Sequence, residues 1–124
     1  MRKNELVCDC ESIHAENVAI AKSKMLDDNT LSKMTNFYKA LADNTRTKII
    51  NLLEKSELCV SYISVILNMT KSAVSHQLKY LKQKNLIKSK RRGKEIWYTL
   101  ADSHVSAVFD ISLEHILEEH NEKN

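Results

Sequence analysis

Apolar residues recur along most of this chain at the three- and four-residue spacing of helices that bury one face. The pattern predicts helices over residues 12–25, 30–41, 44–55, 60–67, 71–84 and 103–120. Thr30 and Asp43 precede two of the apolar runs and are expected to cap the helices that follow them.

The spacing changes at residue 86, where two β-prone runs, residues 86–90 and 95–100, flank the only Gly of the chain. This arrangement predicts a β-hairpin with Gly93 at its turn, since Gly adopts positive φ without a Cβ clash. Two helices joined by a short turn and followed by a basic hairpin form a winged helix-turn-helix. The predicted fold is therefore mainly α with a small β-hairpin.

Composition agrees with a single, mostly helical domain. The chain has 124 residues with one Gly and no Pro, which argues against a β-sandwich, a collagen-like fibre or a flexible linker. No apolar run is long enough to span a membrane and the N-terminus has no secretory h-region, so a cytoplasmic protein is expected. Three Cys in such a chain favour metal or redox chemistry over a disulfide framework.

Charge is distributed unevenly along the chain. Residues 71–94 contain nine Lys and Arg and no Asp or Glu, whereas residues 101–124 contain six acidic residues and one Lys. A purely basic segment in an otherwise mixed or acidic chain is typical of a face that binds a polyanion. The alternative is a solvated helix followed by a basic loop.

The helix over 71–84 is the predicted DNA-reading element. Val74, Leu78 and Leu81 face inward, and the other face is polar. The major groove of B-DNA admits one α-helix, in which Ser and Gln suit base edges and Lys suits phosphates. Predicted contacts to double-stranded DNA come from Lys71, Ser72, Ser75, His76, Gln77 and Lys79 on the helix, and from Lys90, Arg91, Arg92 and Lys94 on the hairpin.

The last helix carries four side chains of metal-ligand type, Asp102, His104, His115 and Glu118. The two His lie eleven residues apart, on nearly the same helix face but separated by about 16 Å along the axis. They can share an ion only if two copies of the helix run antiparallel, which would give two sites suited to tetrahedral Zn²⁺ or Co²⁺. The alternative is four polar residues on a solvated helix.

The same helix also has a long apolar stripe, from Val105 to Leu117. Such a face needs burial, in the core or against a second copy. Since metal binding and dimer formation require the same antiparallel pairing, we predict a homodimer with residues 102–120 as its dimerisation helix.

A second group of candidate ligands consists of Cys8, Cys10, His14 and Cys59. Thiolates favour ions such as Cd²⁺, Pb²⁺, Zn²⁺ and Cu⁺. The alternatives are a Cys59 that is simply buried and an N-terminal Cys pair that is idle or redox-active. We predict residues 1–28 to form an N-terminal metal-binding arm and residues 29–124 to form the winged helix-turn-helix domain.

Over residues 31–120 the chain resembles the ArsR/SmtB family of metal-responsive repressors. The resemblance rests on FYKALADNTRTKIINLL, ELCV, SAVSHQLKYLKQKNLI and RRGKEIWYTL. The D-x-H and H-x-x-E spacing on the last helix is similar to the zinc-sensing, SmtB-like branch, and the Cys-rich N-terminus to the CadC-like branch. This chain reads Ser61-Tyr62 after Cys59-Val60, without the second thiol and the acid that often follow in that branch.

The resemblance implies a repressor whose metal-free dimer binds operator DNA and is released when metal occupies the C-terminal helix sites. It further implies a hydrogen bond from metal-bound His115 to the backbone carbonyl of Asn85, at the end of the recognition helix. Two other functions compete: a winged-helix repressor that responds to thiol oxidation, and an architectural DNA-binding protein with structural metal. An enzyme is not expected, because no nucleophile–base pair or phosphate-binding loop is present.

Overall fold

A computed structural model describes the backbone of residues 11–123 and the side chains of residues 14–118. The elements follow one another as α1 (Glu11–Ser23), α2 (Asp28–Leu41), α3 (Asn44–Lys55), β1 (Leu58–Cys59), α4 (Val60–Leu67), α5 (Lys71–Gln83), β2 (Ile87–Arg92), β3 (Glu95–Leu100) and α6 (Ser103–Lys123). All the predicted helices and the predicted hairpin are confirmed, with ends displaced by at most three residues.

The chain divides within α2, between Thr35 and Asn36, into two units. In the first unit the predicted cap is wrong: Asp27, not Thr30, caps α2. The Asp27 carboxylate accepts hydrogen bonds from the Thr30 backbone N–H at 3.0 Å and from its hydroxyl at 2.8 Å, so Thr30 already lies inside the helix. These bonds, led by the one from the hydroxyl, lower the pKa of Asp27. The division into a 1–28 arm and a 29–124 domain stays a prediction.

The second unit, from Asn36 onward, contains the hydrophobic core. The core takes residues from the end of α2, from α3, α4 and α5, from the start of the hairpin and from the first turn of α6. Its fully buried large side chains are Ile49, Ile50, Ile63, Val74, Leu78, Leu81 and Leu86. The predicted cap of α3 is confirmed, since the Asp43 carboxylate accepts from the Arg46 backbone N–H at 3.0 Å.

The three strands form one antiparallel sheet in the order β1-β3-β2. β2 and β3 are the predicted hairpin, with Gly93 at φ +62° in its turn, as its position suggested. β1 was not predicted. It has only two residues, too few to show a period, and it exists because Leu58 and Cys59 pair with Tyr98 and Trp97, nearly forty residues away.

Among the described side chains of α6, those near its start are the most buried. Val105, near its start, is 4% exposed, and Val108 and Phe109 are half-buried. Further along, Ile111 is 65% exposed and Ile116 is 58% exposed, and Leu113 and Leu117 are exposed as well. Among the described residues, no helix is both long and apolar enough to cross a membrane.

Candidate nucleic-acid interface and metal ligands

The turn before α5 fixes the position of this helix on α4. Asn68 ends α4 in the left-handed conformation at φ 54°, and the Ser64 hydroxyl donates to the Met69 carbonyl at 2.7 Å. Thr70 then caps α5, its Oγ1 accepting from the Ala73 N–H at 3.0 Å. Three residues, 68–70, therefore join the end of α4 to the capped start of α5, which is the arrangement of a helix-turn-helix.

The two faces of α5 differ as the sequence predicted. Val74, Leu78 and Leu81 are fully buried. The candidate contact residues Lys71, Ser72, Ser75, His76 and Lys79 are exposed, and Gln77 is half-buried. Four of these, Ser72, Ser75, His76 and Lys79, follow the i, i+3, i+4, i+7 spacing that places side chains on one helix face. A polar face of donors and cations is therefore presented to solvent on a helix held by the core.

The wing presents the other predicted contacts. Lys90, Arg91, Arg92 and Lys94 are all exposed at the hairpin tip. Arg92 also has a structural role, because its guanidinium lies 2.6 Å from the Glu57 carboxylate and 5.7 Å from the centre of the Trp97 ring. This ion pair joins the tip of β2 to the residue before β1. Sequence reasoning missed Glu57, since nothing in its local spacing indicates a partner 35 residues away.

Arg46 on α3 was likewise missed, and it links α2, α3 and α5. Its Nε donates to the Ala40 carbonyl at 2.7 Å, and its guanidinium lies 4.3 Å above the centre of the Tyr80 ring of α5. On the wing side of α5, the Lys82 ammonium group donates to the Ser89 hydroxyl at 2.7 Å. Arg46 thus connects α3 to α5, and Lys82 connects α5 to β2.

The structure places the α6 candidates in two pairs. Asp102 caps the helix, its Oδ1 accepting from the His104 N–H at 2.9 Å, and the same oxygen lies 3.5 Å from His104 Nδ1. His115 and Glu118 are exposed almost one turn apart near the other end. Within the described residues of one chain, no group of three or more His, Cys, Asp and Glu side chains could hold a metal ion.

The structure describes two of the four Cys-rich candidates, His14 and Cys59, and they belong to different units. Cys59 lies in β1, 3% exposed, with its backbone paired to Trp97. His14 is half-buried in α1, which belongs to the other unit. Cys8 and Cys10 lie outside the described residues.

Asn85 has a backbone role at the end of α5. It adopts the left-handed conformation at φ 62°, and its N–H donates to the Lys82 carbonyl at 3.0 Å. The next residue, Leu86, donates to the Leu81 carbonyl at 3.0 Å, which closes the helix and starts the wing. Among the described residues of one chain, no hydrogen bond joins His115 to Asn85.

A capped recognition helix with a basic wing defines the class of winged helix-turn-helix DNA-binding proteins. The sequence pattern of the arsR family of bacterial regulatory proteins matches residues 43–89. The transcriptional repressor SmtB homolog of Synechocystis sp. is 33% identical over 90% of this chain and 85% of its own length. The CadC homolog of Staphylococcus aureus, a cadmium resistance transcriptional regulatory protein, is 32% identical over 88% of this chain and 90% of its length. The chain belongs to the arsR family and is a transcriptional regulator.

Solved structures support the same assignment. The AntR antimony-specific transcriptional repressor superposes with a TM-score of 0.71 at 26% identity, over 79% of this chain and 89% of that one. The homodimeric winged helix-turn-helix domain Mb0332 of Mycobacterium bovis gives a TM-score of 0.70 at 27% identity, over 82% of this chain and 95% of that one.

Proposed function

We propose that this protein is a metal-responsive repressor whose homodimer binds operator DNA through α5 and the wing and releases it when a metal ion binds between two copies of α6. The observation that carries the proposal is the placement of the acid-free segment 71–94: its cations lie on the exposed face of one helix and on the adjoining hairpin tip. Relatives named as an SmtB repressor homolog, a cadmium resistance regulator and an antimony-specific repressor support a metal as the signal.

In the proposed complex, α5 and the wing contact different parts of the DNA. Ser72, Ser75, His76 and Gln77 would meet base edges in the major groove, because they lie on the outward face of a helix of suitable width. Lys71 and Lys79, together with the cations at the wing tip, would meet phosphates. Affinity then depends on the cations and sequence preference on the polar helix face.

The homodimer is supported by apolar surface that one chain leaves open. A groove of about 290 Å³ lies between α6 and the α2–α3 corner, and its lining includes Leu41, Ile50, Phe109 and Leu113. It continues into the exposed second half of α6, where Ile116 also lines the groove. A second copy of this chain is the occupant that we propose, because the same helix carries the two incomplete ligand pairs.

The metal half of the proposal rests on those pairs. Asp102 and His104 already lie together at the start of α6, and His115 and Glu118 share a face near its end. Two carboxylates and two imidazoles suit a tetrahedral Zn²⁺, and Co²⁺ is a further candidate. An antiparallel pair of α6 helices would complete two such sites. Bound metal would fix the relative position of the two helices, and a bond from the His115 ring to the Asn85 carbonyl would carry this change to α5.

The proposal includes a separate thiolate site that would bind Cd²⁺, Pb²⁺ or Zn²⁺ and discriminate between metals. Its ligands would be Cys8, Cys10, His14 and Cys59. Cys59 is 3% exposed, so its thiol is less accessible to an ion than the exposed His115 and Glu118 of α6. We therefore assign the switch to α6 rather than to the cysteines.

The test is a fluorescence-anisotropy titration with a duplex that the wild-type protein selects from a random-sequence library. His115→Ala should bind this duplex like the wild type in the presence of a chelator but should not be released by Zn²⁺. Since allosteric couplings are commonly about 1–3 kcal/mol, the wild-type affinity should fall several-fold to about a hundred-fold on zinc addition. Glu114→Gln, at the exposed neighbouring position, should respond like the wild type.

The cysteine variant separates the two sites. Cys8→Ser with Cys10→Ser should reduce thiolate–metal absorption and keep zinc-driven release. If this variant loses release while His115→Ala keeps it, the switch lies at the N-terminus and the α6 assignment is wrong. Release by oxidant but not by zinc would instead favour the thiol-redox repressor. Equal DNA affinity with and without metal would favour an architectural protein.

A further inference from the structure

A buried carboxylate that DNA and metal binding do not use lies between α3 and α6. The Glu54 side chain is 7% exposed, and its Oε2 accepts a hydrogen bond from the Ser106 hydroxyl at 2.7 Å. Its other oxygen, Oε1, is fully buried, and no hydrogen-bond donor is assigned to it among the described residues. The Lys55 ammonium group is 4.0 Å from this oxygen and is itself largely exposed. A buried carboxylate oxygen without a donor is costly, so a further proton or cation is expected at this position.

Asp110 is the group that can supply the proton. It lies four residues after Ser106 on the same side of α6, and its carboxyl group is within hydrogen-bonding reach of Glu54. Two ionised carboxylates in contact repel each other, whereas one proton between them forms a charge-assisted hydrogen bond. The geometry therefore favours the singly protonated pair over the doubly ionised one.

The electrostatic surroundings of the pair assign the proton to Asp110. Hydrogen bonds from Asp110 and then from Ser106 lower the pKa of Glu54. The hydrogen bond to Glu54, desolvation of the exposed carboxyl group by its neighbours and the Glu54 charge raise the pKa of Asp110. Lys55 lowers both pKa values, and no described side chain of α5 or β3, which also pack against α3, shifts either one.

We propose that Glu54 and Asp110 share one proton and that this proton-dependent contact, with Ser106, positions α6 on α3. The proposal rests on the proposed function in one respect, namely that α6 carries the regulatory site. Asp110 lies between His104 and His115, so the contact fixes the part of α6 that joins the two ligand pairs. Loss of the proton would loosen this part of the helix, which would make the metal response depend on pH.

The direction of the pH effect follows from the two pKa shifts. The stabilisation from Asp110 is fully present below the pKa it has in the unfolded chain and is lost as pH rises through its raised folded pKa. The stabilisation from Glu54 is present above its unfolded pKa and is lost as pH falls through its lowered folded pKa. The pair therefore stabilises the fold most between the two folded pKa values and weakens on the alkaline side.

The test uses the metal-free full-length protein with a chelator present. In a carboxyl ¹³C NMR titration, Asp110 should have a midpoint on the alkaline side of the other aspartates, and Glu54→Gln should return this midpoint toward theirs. Urea unfolding from about pH 4 to about pH 8 should show wild-type stability falling as Asp110 ionises. Asp110→Asn keeps a donor that does not titrate, so its stability should lack this fall. Glu114→Gln, an exposed position on the same helix, should retain it.

Two results would overturn the proposal. One is an Asp110 midpoint in the wild type that coincides with those of the other aspartates. The other is stabilisation at neutral pH by Mg²⁺ or Ca²⁺ that Asp110→Asn abolishes, which would show that the pair holds a cation. Neither result depends on DNA, so the proton contact and the repressor function can fail separately.

Discussion

Helices α5 and α6 differ in what holds them. The inward residues of α5 are fully buried against the core of its own chain, and its start is capped by Thr70. Helix α6 buries Val105 near its start and leaves Ile111 and Ile116 more than half exposed. One chain therefore buries the inward face of α5, whereas the described apolar side chains in the second half of α6 remain exposed in one chain.

The two helices also differ in charge. The segment with α5 and the wing has only cationic residues, while α6 and its flanks are mainly acidic. A preformed cationic surface binds a polyanion without rearrangement. In the proposed function, α6 instead changes its contacts when a cation or a second copy binds. We therefore expect changes in α5 to act within one chain, and changes in α6 to depend on protein concentration and ligands.

The largest effect expected from this contrast is that of Leu78→Ala. Leu78 is fully buried under α5, and truncating a buried Leu commonly lowers the free energy of unfolding by about 2–5 kcal/mol. Urea unfolding would measure this loss, and sedimentation equilibrium in native buffer should show a nearly unchanged dimer dissociation constant.

Ile116→Ala is the matched variant on α6 and should give the opposite result. Ile116 is 58% exposed in one chain, so its truncation should raise the dimer dissociation constant and leave the stability of the separated chain nearly unchanged. An unchanged dissociation constant for this variant, or a monomeric wild type at micromolar concentration, would contradict the placement of the dimer contact.

The same contrast explains how much the sequence could predict. The helices, the hairpin turn at Gly93 and the two faces of α5 were predictable, because each is determined by residues a few positions apart. Strand β1 and the pairs Glu57–Arg92 and Glu54–Asp110 were not, since each joins residues 35 or more positions apart. Sequence spacing records local periodicity and contains no information on which side chains the fold brings together.

The predicted metal ligands show which features of the site the sequence alone does not determine. The spacing of His104 and His115 excludes a shared ion within one helix, because the two residues are too far apart along the helix axis. Among the described residues of one chain, no group of three or more candidate ligands could hold a metal ion. Whether a second copy completes the site depends on contacts between chains. The cap role of Asp102 was also missed, because its place in the D-x-H spacing had already suggested a ligand.

A smaller effect is expected from removing the cap of α5. Thr70→Ala deletes the acceptor for the Ala73 N–H and should lower the free energy of unfolding by about 1 kcal/mol. Thr70→Ser keeps the hydroxyl and should behave nearly as the wild type. Because α5 is held within one chain, the loss should be the same with and without zinc, as measured by urea unfolding. A loss that zinc removes would mean that α6 helps to hold the start of α5.

The smallest effect per residue is expected at the wing tip. Lys90 and Lys94 are exposed, and neither has an ion-pair partner among the described side chains, so in the proposed complex each would contribute a contact to one phosphate. Removing one such contact by Lys90→Ala or Lys94→Ala should weaken binding to all duplexes about equally and reduce the slope of log affinity against log salt by roughly one. Ser75→Ala and Gln77→Ala should instead reduce discrimination between the selected and a random duplex, with the salt slope unchanged. Anisotropy titrations at four salt concentrations separate the two behaviours. If the wing variants change sequence preference and the helix variants change only the salt slope, the wing is the reading element, and α5 serves to position it.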